Sequence, residues 1–384
     1  MAEECDRTNL SHAKLVLDPS VSNRNQTARV CHRLTLFVLI VVLFVINYST
    51  AWATSGTEGA SFLDIPVGAA PAAMGSAYTA RATDGYAPVW NPAGLGFADR
   101  VSLSATQLFY LQGISYEYLG VAIPAGGTFD GDGFSLGNHR GFGASVQYLG
   151  SGNIPGYTVD GAGNPVQTGD FSTTFAAYSL AFGQELTPDW SVGVTGKAIT
   201  ESIADTSARA YAGDIGTMYQ VSNKVALAAT ATNLGSSIKF VSTADPLPQA
   251  YRAGALVQID RETDVSADVT YRRTGLLSAN AGVQWEVFKV LCLRGGLDTS
   301  HSKGSSAVSL ITAGLGLRLF GQEFSYAWVP YGDLGNAQYI SLDIHFGKSG
   351  ETKKHGILKA EDEDMPARDS EAVRDFKALF SDDN

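Results

Sequence analysis

From residue 101 to residue 347 the chain alternates apolar and polar residues with a period of two, segment after segment. Ile340, Leu342, Ile344 and Phe346 interleave with Ser341, Asp343 and His345. Val265, Ala267, Val269 and Tyr271 interleave with Ser266, Asp268, Thr270 and Arg272. Leu277, Ala279, Ala281, Val283, Trp285 and Val287 do the same with Ser278, Asn280, Gly282, Gln284 and Glu286. Period two gives an extended strand one apolar face and one polar face. A soluble sandwich shows this too. Three features separate the cases here: an export signal, strands of about 10 residues, and a second face of small polar residues and glycine. These suit a barrel with lipid outside and water inside.

Strand starts fall near residues 102, 114, 141, 171, 189, 209, 224, 249, 263, 277, 290, 306, 323 and 337. The reading is therefore all-β, a transmembrane antiparallel β-barrel of about 14 strands. An even barrel with both ends inside has short inner turns. Those turns are expected near Thr187-Pro188, Ser222-Asn223, Arg261, Phe288-Lys289 and Gly321-Gln322. Longer outer loops are expected at 151–170, 200–208, 235–248 and 300–305. The connection 125–140 breaks this parity, being long on the inner side. It is either a true inward feature or a slip of one strand in the count.

Leu36 to Ile46 is an unbroken apolar run behind Arg29, His32 and Arg33, followed by Ala51-Trp52-Ala53. This reads as a cleaved secretory signal with Thr54 first in the mature chain. A retained anchor is the alternative, though the run is short for a helical span of about 20 residues. The polar stretch ahead of it is long, and a true start at Val30 is an expectation. Cys5 and Cys31 would leave with the leader, so Cys292 stands alone and no intrachain disulfide is possible. The division is then residues 1–53 leader and signal peptide, 54–100 plug, 101–347 barrel and 348–384 charged periplasmic tail. In the tail, Asp369 can cap a short helix over Ser370 to Phe380 that docks in the periplasm; a solvated, disordered tail is the alternative. The barrel's last strand ends at Phe346, the kind of terminal strand that barrel-assembly machinery reads.

Gly59 to Gly96 holds glycine at 59, 68, 75, 85, 94 and 96 and proline at 66, 71, 88 and 92. It cannot be a regular spanning strand. It can fill a lumen, where irregular backbone meets protein or water instead of lipid. A small-residue helix is expected over Ala69 to Ala82. Asn91-Pro92-Ala93-Gly94 reads as a turn, with Asn91 able to cap and Gly94 able to take positive φ.

The order Ala70 or Ala72, Met74, Gly75, Ala77, Tyr78, Ala80, then Asp84, Ala87, Asn91, Pro92, Ala93, Gly94, Leu95 resembles the N-terminal hatch of FadL-type outer-membrane transporters. Phe62 to Ala69 ahead of it, and Tyr326 to Gly335 near the end, resemble the PorV/PorQ branch of that superfamily. The resemblance spans most of the mature chain and leaves out the leader and tail. It implies fourteen strands, a plug motif carried by Met74, Gly75, Asp84, Asn91, Pro92 and Gly94, and the outer membrane of a Gram-negative-type bacterium. It implies passive uptake of a hydrophobic small molecule, a long-chain fatty acid or hydrocarbon. The PorV/PorQ branch implies instead an accessory of type IX secretion, with secretion-system proteins as partners.

No catalytic or metal constellation stands out. The barrel zone has His139, His301 and His345, without a paired spacing for metal. His345 beside Asp343 reads as a lumen pair, not as hydrolase machinery. Asp130, Asp132 and Gly133 read as a loop, lacking the glutamate of a calcium site. A net charge of −11 gives no global footprint for nucleic acid. The chain is expected to be no enzyme and to need no cofactor. Phe109, Tyr110, Tyr157, Phe240 and Tyr331, with Tyr339, are candidates to line a ligand pocket at the outer rim; each would also suit an interfacial aromatic girdle. Glu117, Lys197, Asp268, Arg272, Glu286, Arg294, Asp298 and Arg318 are expected inside the lumen.

Overall fold

The computed structural model describes residues 58–126, 139–288, 290–301 and 307–346. The signal peptide, the start at Val30, the tail helix and the Asp130–Gly133 stretch fall outside the described residues. Fourteen strands form one closed barrel, each hydrogen-bonded to its sequence neighbours, all antiparallel. They are β1 Val101–Phe109, β2 Ser115–Gly126, β3 His139–Gly150, β4 Thr173–Thr187 and β5 Trp190–Ile203. Then follow β6 Thr206–Ser222, β7 Val225–Gly235, β8 Ala250–Gln258, β9 Thr263–Arg272 and β10 Leu277–Phe288. The last are β11 Leu291–Asp298, β12 Ile311–Leu319, β13 Gln322–Pro330 and β14 Asn336–Phe346. Closure comes from β14 against β1, with Val101 opposite Phe346 and Phe109 opposite Gln338.

Closure leaves no free sheet edge, which is the condition for crossing a bilayer with strands. Alternation then sorts the side chains. On β14, Ile340, Leu342, Ile344 and Phe346 face out and Tyr339, Ser341 and Asp343 are buried inside. The exposed large residues Leu180, Val194, Val265, Val269, Trp285, Leu315 and Phe324 continue the apolar exterior around the wall. That exterior belongs to a membrane barrel.

The count of strands did not slip at 125–140: β2 and β3 are consecutive neighbours in the wall. Nor is 200–208 a loop. β5 and β6 run through it and pair as far as Ile203 opposite Thr206, with Ala204 at φ 50 making the turn. Glu117 needs a correction as well. Tyr116 and Tyr118 on the same strand are buried inward, so Glu117 and Leu119 face out. The tyrosines win the lumen because their hydroxyls find partners there: Tyr118 donates to the Gly85 carbonyl at 2.5 Å, and Tyr116 accepts from Gln147 at 2.7 Å. A glutamate near the strand end meets the interface, where the cost of charge is small.

Residues 58–100 fill the lumen. The helix expected over Ala69 to Ala82 is a single turn, Ala69–Ala73. Gly75 and Ser76 follow at φ 63 and φ 66, left-handed backbone that ends it. A second turn, Ala87–Trp90, leads into a 3₁₀ helix, Pro92–Phe97.

Candidate functional site

The plug is held by backbone groups that the barrel's inward polar face satisfies. Asp268 of β9 accepts from Tyr78 N at 3.1 Å, Thr79 N at 3.0 Å and Thr79 Oγ1 at 2.6 Å. Thr312 accepts from Gly75 N at 3.0 Å and donates to the Ala73 carbonyl at 2.8 Å. Ser341 accepts from Ala69 N at 2.8 Å, and Thr195 donates to the Pro88 carbonyl at 3.0 Å. An irregular segment in a bilayer must find such partners for every buried amide. Two ion pairs cross the same seam, Arg81–Asp264 at 2.8 Å and Arg272–Asp64.

Of the plug-motif residues, Met74, Gly75, Asn91 and Pro92 meet the barrel wall, whereas Asp84 and Gly94 make contacts within the plug. Met74 is fully buried, and its carbonyl would lie 2.5 Å from a Cβ at Gly282 of the wall. Asn280 donates to the Gly75 carbonyl. Asp84 accepts from Tyr78 OH at 2.7 Å and Tyr86 N at 2.9 Å; burial pushes its carboxyl above the usual carboxylate range. Asn91 caps the 3₁₀ helix, its Oδ1 accepting from Ala93 N at 3.1 Å, and it donates to the Thr79 carbonyl at 3.0 Å. Pro92 packs on Gly193. Gly94 is not needed for positive φ. A Cβ there would stand 1.6 Å from the Ala82 carbonyl oxygen, so the glycine permits backbone-to-backbone contact.

Two internal cavities lie on either side of the plug. The one at the loop end has a volume of about 530 Å³. One wall is apolar: Phe62, Ile65, Val89 and Trp90 of the plug face Ile114, Leu149 and Phe175 of the barrel. The lining also carries the polar groups Lys197, Arg252, Thr270, Arg272, Asn280 and Asp298. Lys197 pairs with Asp214 at 2.7 Å, with side-chain exposures of 2% and 0%, and donates to Asn233 at 2.8 Å.

The cavity at the turn end measures about 510 Å³ and is dominated by charge. Arg294 donates to Gln284 at 2.8 Å, Ser325 at 3.0 Å and Glu323. Arg318 reaches Glu323 at 2.8 Å and Glu286. Thus the expected lumen charges are inside, Glu117 excepted. Their partners Asp214 and Glu323, and Asp264, which pairs with Arg81 of the plug, escaped the sequence reading. Arg252 escaped because its strand, AYRAGALVQ, is apolar on both faces. Cys292 is buried on an inward position.

Of the five aromatic candidates, the structure brings together Tyr110 and Tyr331. They line the loop-end cavity and meet edge to face, ring centroids 5.5 Å apart at 86°. Phe109 faces out and is 55% exposed, because the inward positions of β1 are Ser102, Ser104, Thr106 and Leu108. Tyr157 lies in an outer hairpin, Ile154–Val159 with Pro165–Phe171, and is 63% exposed. Phe240 packs against the core beside the buried Ile238 without reaching the cavity wall. Tyr339 is fully buried.

A third concavity, about 540 Å³, lies on the wall across β13, β14, β1, β2 and β3. It is lined mainly by apolar side chains, among them Ala105, Leu119, Val146, Phe324, Ile340 and Leu342, with Gln107 and Glu117 beside them. Ala105 sits in register between Leu119 and Leu342, and its small side chain opens the depression.

The class this geometry defines is a plugged, fourteen-stranded membrane β-barrel. No protein-family model matches the chain, and no curated protein matches it. Among solved structures it is similar to the Pseudomonas putida toluene transporter TodX, at 14% identity over 72% of this chain and 96% of that one, TM-score 0.47. It is similar to the CymD monoaromatic hydrocarbon channel, at 12% identity over 78% of this chain and 100% of that one, TM-score 0.49. A Pseudomonas aeruginosa FadL homologue is similar at 9% identity over 73% and 98%, TM-score 0.45.

Proposed function

We propose that the protein is an outer-membrane channel for passive uptake of hydrophobic small molecules, long-chain fatty acids or hydrocarbons. The observation that carries this is the loop-end cavity. It is lined by apolar side chains of plug and barrel, Phe62, Ile65, Val89, Ile114, Leu149 and Phe175, with a few charged groups among them, and by the edge-to-face pair Tyr110 and Tyr331. Pockets of this size with an apolar lining and a few placed polar groups are the usual form of a small-molecule site. The plug is docked along its length and closes the direct path. The chamber beneath it presents arginine and carboxylate groups, which repel an apolar solute through their hydration.

The test is native mass spectrometry of the detergent-purified barrel, with lipid extraction of whatever co-purifies. A bound fatty acid or hydrocarbon, lost in Tyr331→Ala, is the expected result. A ligand-free barrel that pulls down secreted or periplasmic proteins would turn the assignment to a type IX secretion accessory.

A further inference from the structure

The depression on the outer wall is built from two rows of outward side chains, set by the strand register. One row is apolar: Leu342, Ala105, Leu119 and Val146 stand opposite one another in turn on β14, β1, β2 and β3. The next row, two residues nearer the loop end, is polar. Gln107, Glu117 and Tyr148 are register partners across β1, β2 and β3, and all three line the same depression. β2 begins at Ser115, so Glu117 lies about 7 Å along the strand from its loop end. That depth places it where the outward face of a barrel meets lipid headgroups.

Glu117 has no ion pair or hydrogen bond among the described residues. Along the outward positions of β13, β14, β1, β2 and β3, the other charged residue is Arg140, at the turn end of β3. The wall therefore supplies Glu117 with no cation, and its counter-charge has to come from the membrane. Gln107 and Tyr148 flank the carboxylate with an amide and a hydroxyl, both able to donate to an anionic oxygen. The row thus offers one acceptor for a cation between two donors for an anion, directly above an apolar hollow.

From this juxtaposition we infer that the depression binds a membrane lipid with a zwitterionic, primary-ammonium headgroup of the phosphoethanolamine kind. The ammonium sits on Glu117, Gln107 and Tyr148 donate to phosphate or ester oxygens, and one acyl chain lies over Ala105 between Leu119 and Leu342. A purely anionic headgroup brings phosphate to Glu117 without a cation and is disfavoured. A second copy of the barrel seated on this face by two-fold symmetry would set like charges together. The inference rests on the membrane barrel alone and stands apart from the cargo of the lumen.

The experiment titrates the delipidated, detergent-purified full-length barrel with dimyristoyl phosphatidylethanolamine and dimyristoyl phosphatidylglycerol. The two share their chains and differ in the head, and native mass spectrometry reads the bound lipid. The expected result is phosphatidylethanolamine bound about threefold to fivefold more tightly, the worth of one exposed ion pair. Glu117→Gln brings the two lipids to equal retention. Ala105→Leu fills the floor of the depression and lowers phosphatidylethanolamine binding with the carboxylate still in place. Heat-modifiable gel mobility verifies that each variant is a folded barrel. Equal binding of both lipids to the unmodified protein, or a preference that survives in folded Glu117→Gln, overturns the inference. So does a dimer that Ala105→Leu dissociates, which would give this face to a second copy. None of these outcomes bears on the channel reading, which is tested by its own co-purifying ligand.

Discussion

The two chambers of the lumen are nearly equal in volume, about 530 Å³ and 510 Å³, yet their linings differ in kind. At the loop end apolar side chains of plug and barrel share the lining with a few polar ones. At the turn end two arginines and two glutamates interlock, with Arg81–Asp264 beside them. The same plug makes both surfaces. Its Phe62–Val67 stretch is turned to one side and its Arg81–Asp84 stretch to the other. The difference teaches that the plug does more than obstruct: it divides the lumen into a compartment with a mixed apolar and polar lining and one whose lining is dominated by charge.

The comparison breaks most completely if the partition is removed. Deleting residues 59–96 should turn a barrel that conducts ions poorly into one with large, porin-like conductance steps in a planar bilayer, because the lumen wall is polar. An unchanged conductance would mean that the plug is not what closes the pore. The next largest effect separates the two sets of charges. Lys197→Met leaves Asp214 buried without its cation and should destabilise the barrel by about 3–5 kcal/mol. Arg318→Met acts where both Arg318 and Glu286 side chains are 32% exposed and leaves the more buried Glu323 still paired with Arg294, so it should cost less than Lys197→Met. Urea unfolding followed by gel mobility measures both, and a reversed order would contradict the deeper burial of the Lys197–Asp214 pair.

Two smaller effects sharpen the picture. Glu117→Leu, on the outward face, should change stability by less than about 1 kcal/mol in the same titration, since the position lies near the membrane interface. A large loss would show Glu117 engaged with a partner. At Asp84, burial disfavours the charged form when the plug is docked. Its pKa is raised in the docked state, so docking should tighten as pH falls through that raised value towards the ordinary carboxylate range. Protease protection of the plug between about pH 4 and pH 7 would register this, and Asp84→Asn should flatten the profile.

Much of the wall was legible because lipid and lumen impose opposite demands on alternate residues. β9, β10 and β14 declare their register in their own sequences. The pattern failed where both faces carry similar residues. In SYEYLGVA the tyrosines and Glu117 compete for the lumen, and the plug's carbonyl at Gly85 together with Gln147 of the wall decides it. Residues 200–208 read as a loop because Glu201, Asp205 and Arg209 are polar, although they belong to strands and a two-residue turn. The plug was legible as a segment, from its glycine and proline content, but not in its internal shape. Its geometry is set by contacts hundreds of residues away, such as Ala69 with Ser341. For the same reason the cavity was only half visible. Tyr110 and Tyr331 were found as rim aromatics, whereas the seating of Arg252 over the Trp90 ring shows only in the structure.

The most direct test of the division between the chambers, and of the channel itself, is photo-crosslinking with a diazirine-bearing alkyl chain followed by peptide mapping. The account predicts adducts on the Phe62–Val67 stretch and on the segments holding Tyr110, Leu149 and Phe175, with none on those holding Arg294, Arg318 or Glu323. Adducts concentrated at the arginine–glutamate cluster, or none inside the barrel at all, would contradict it.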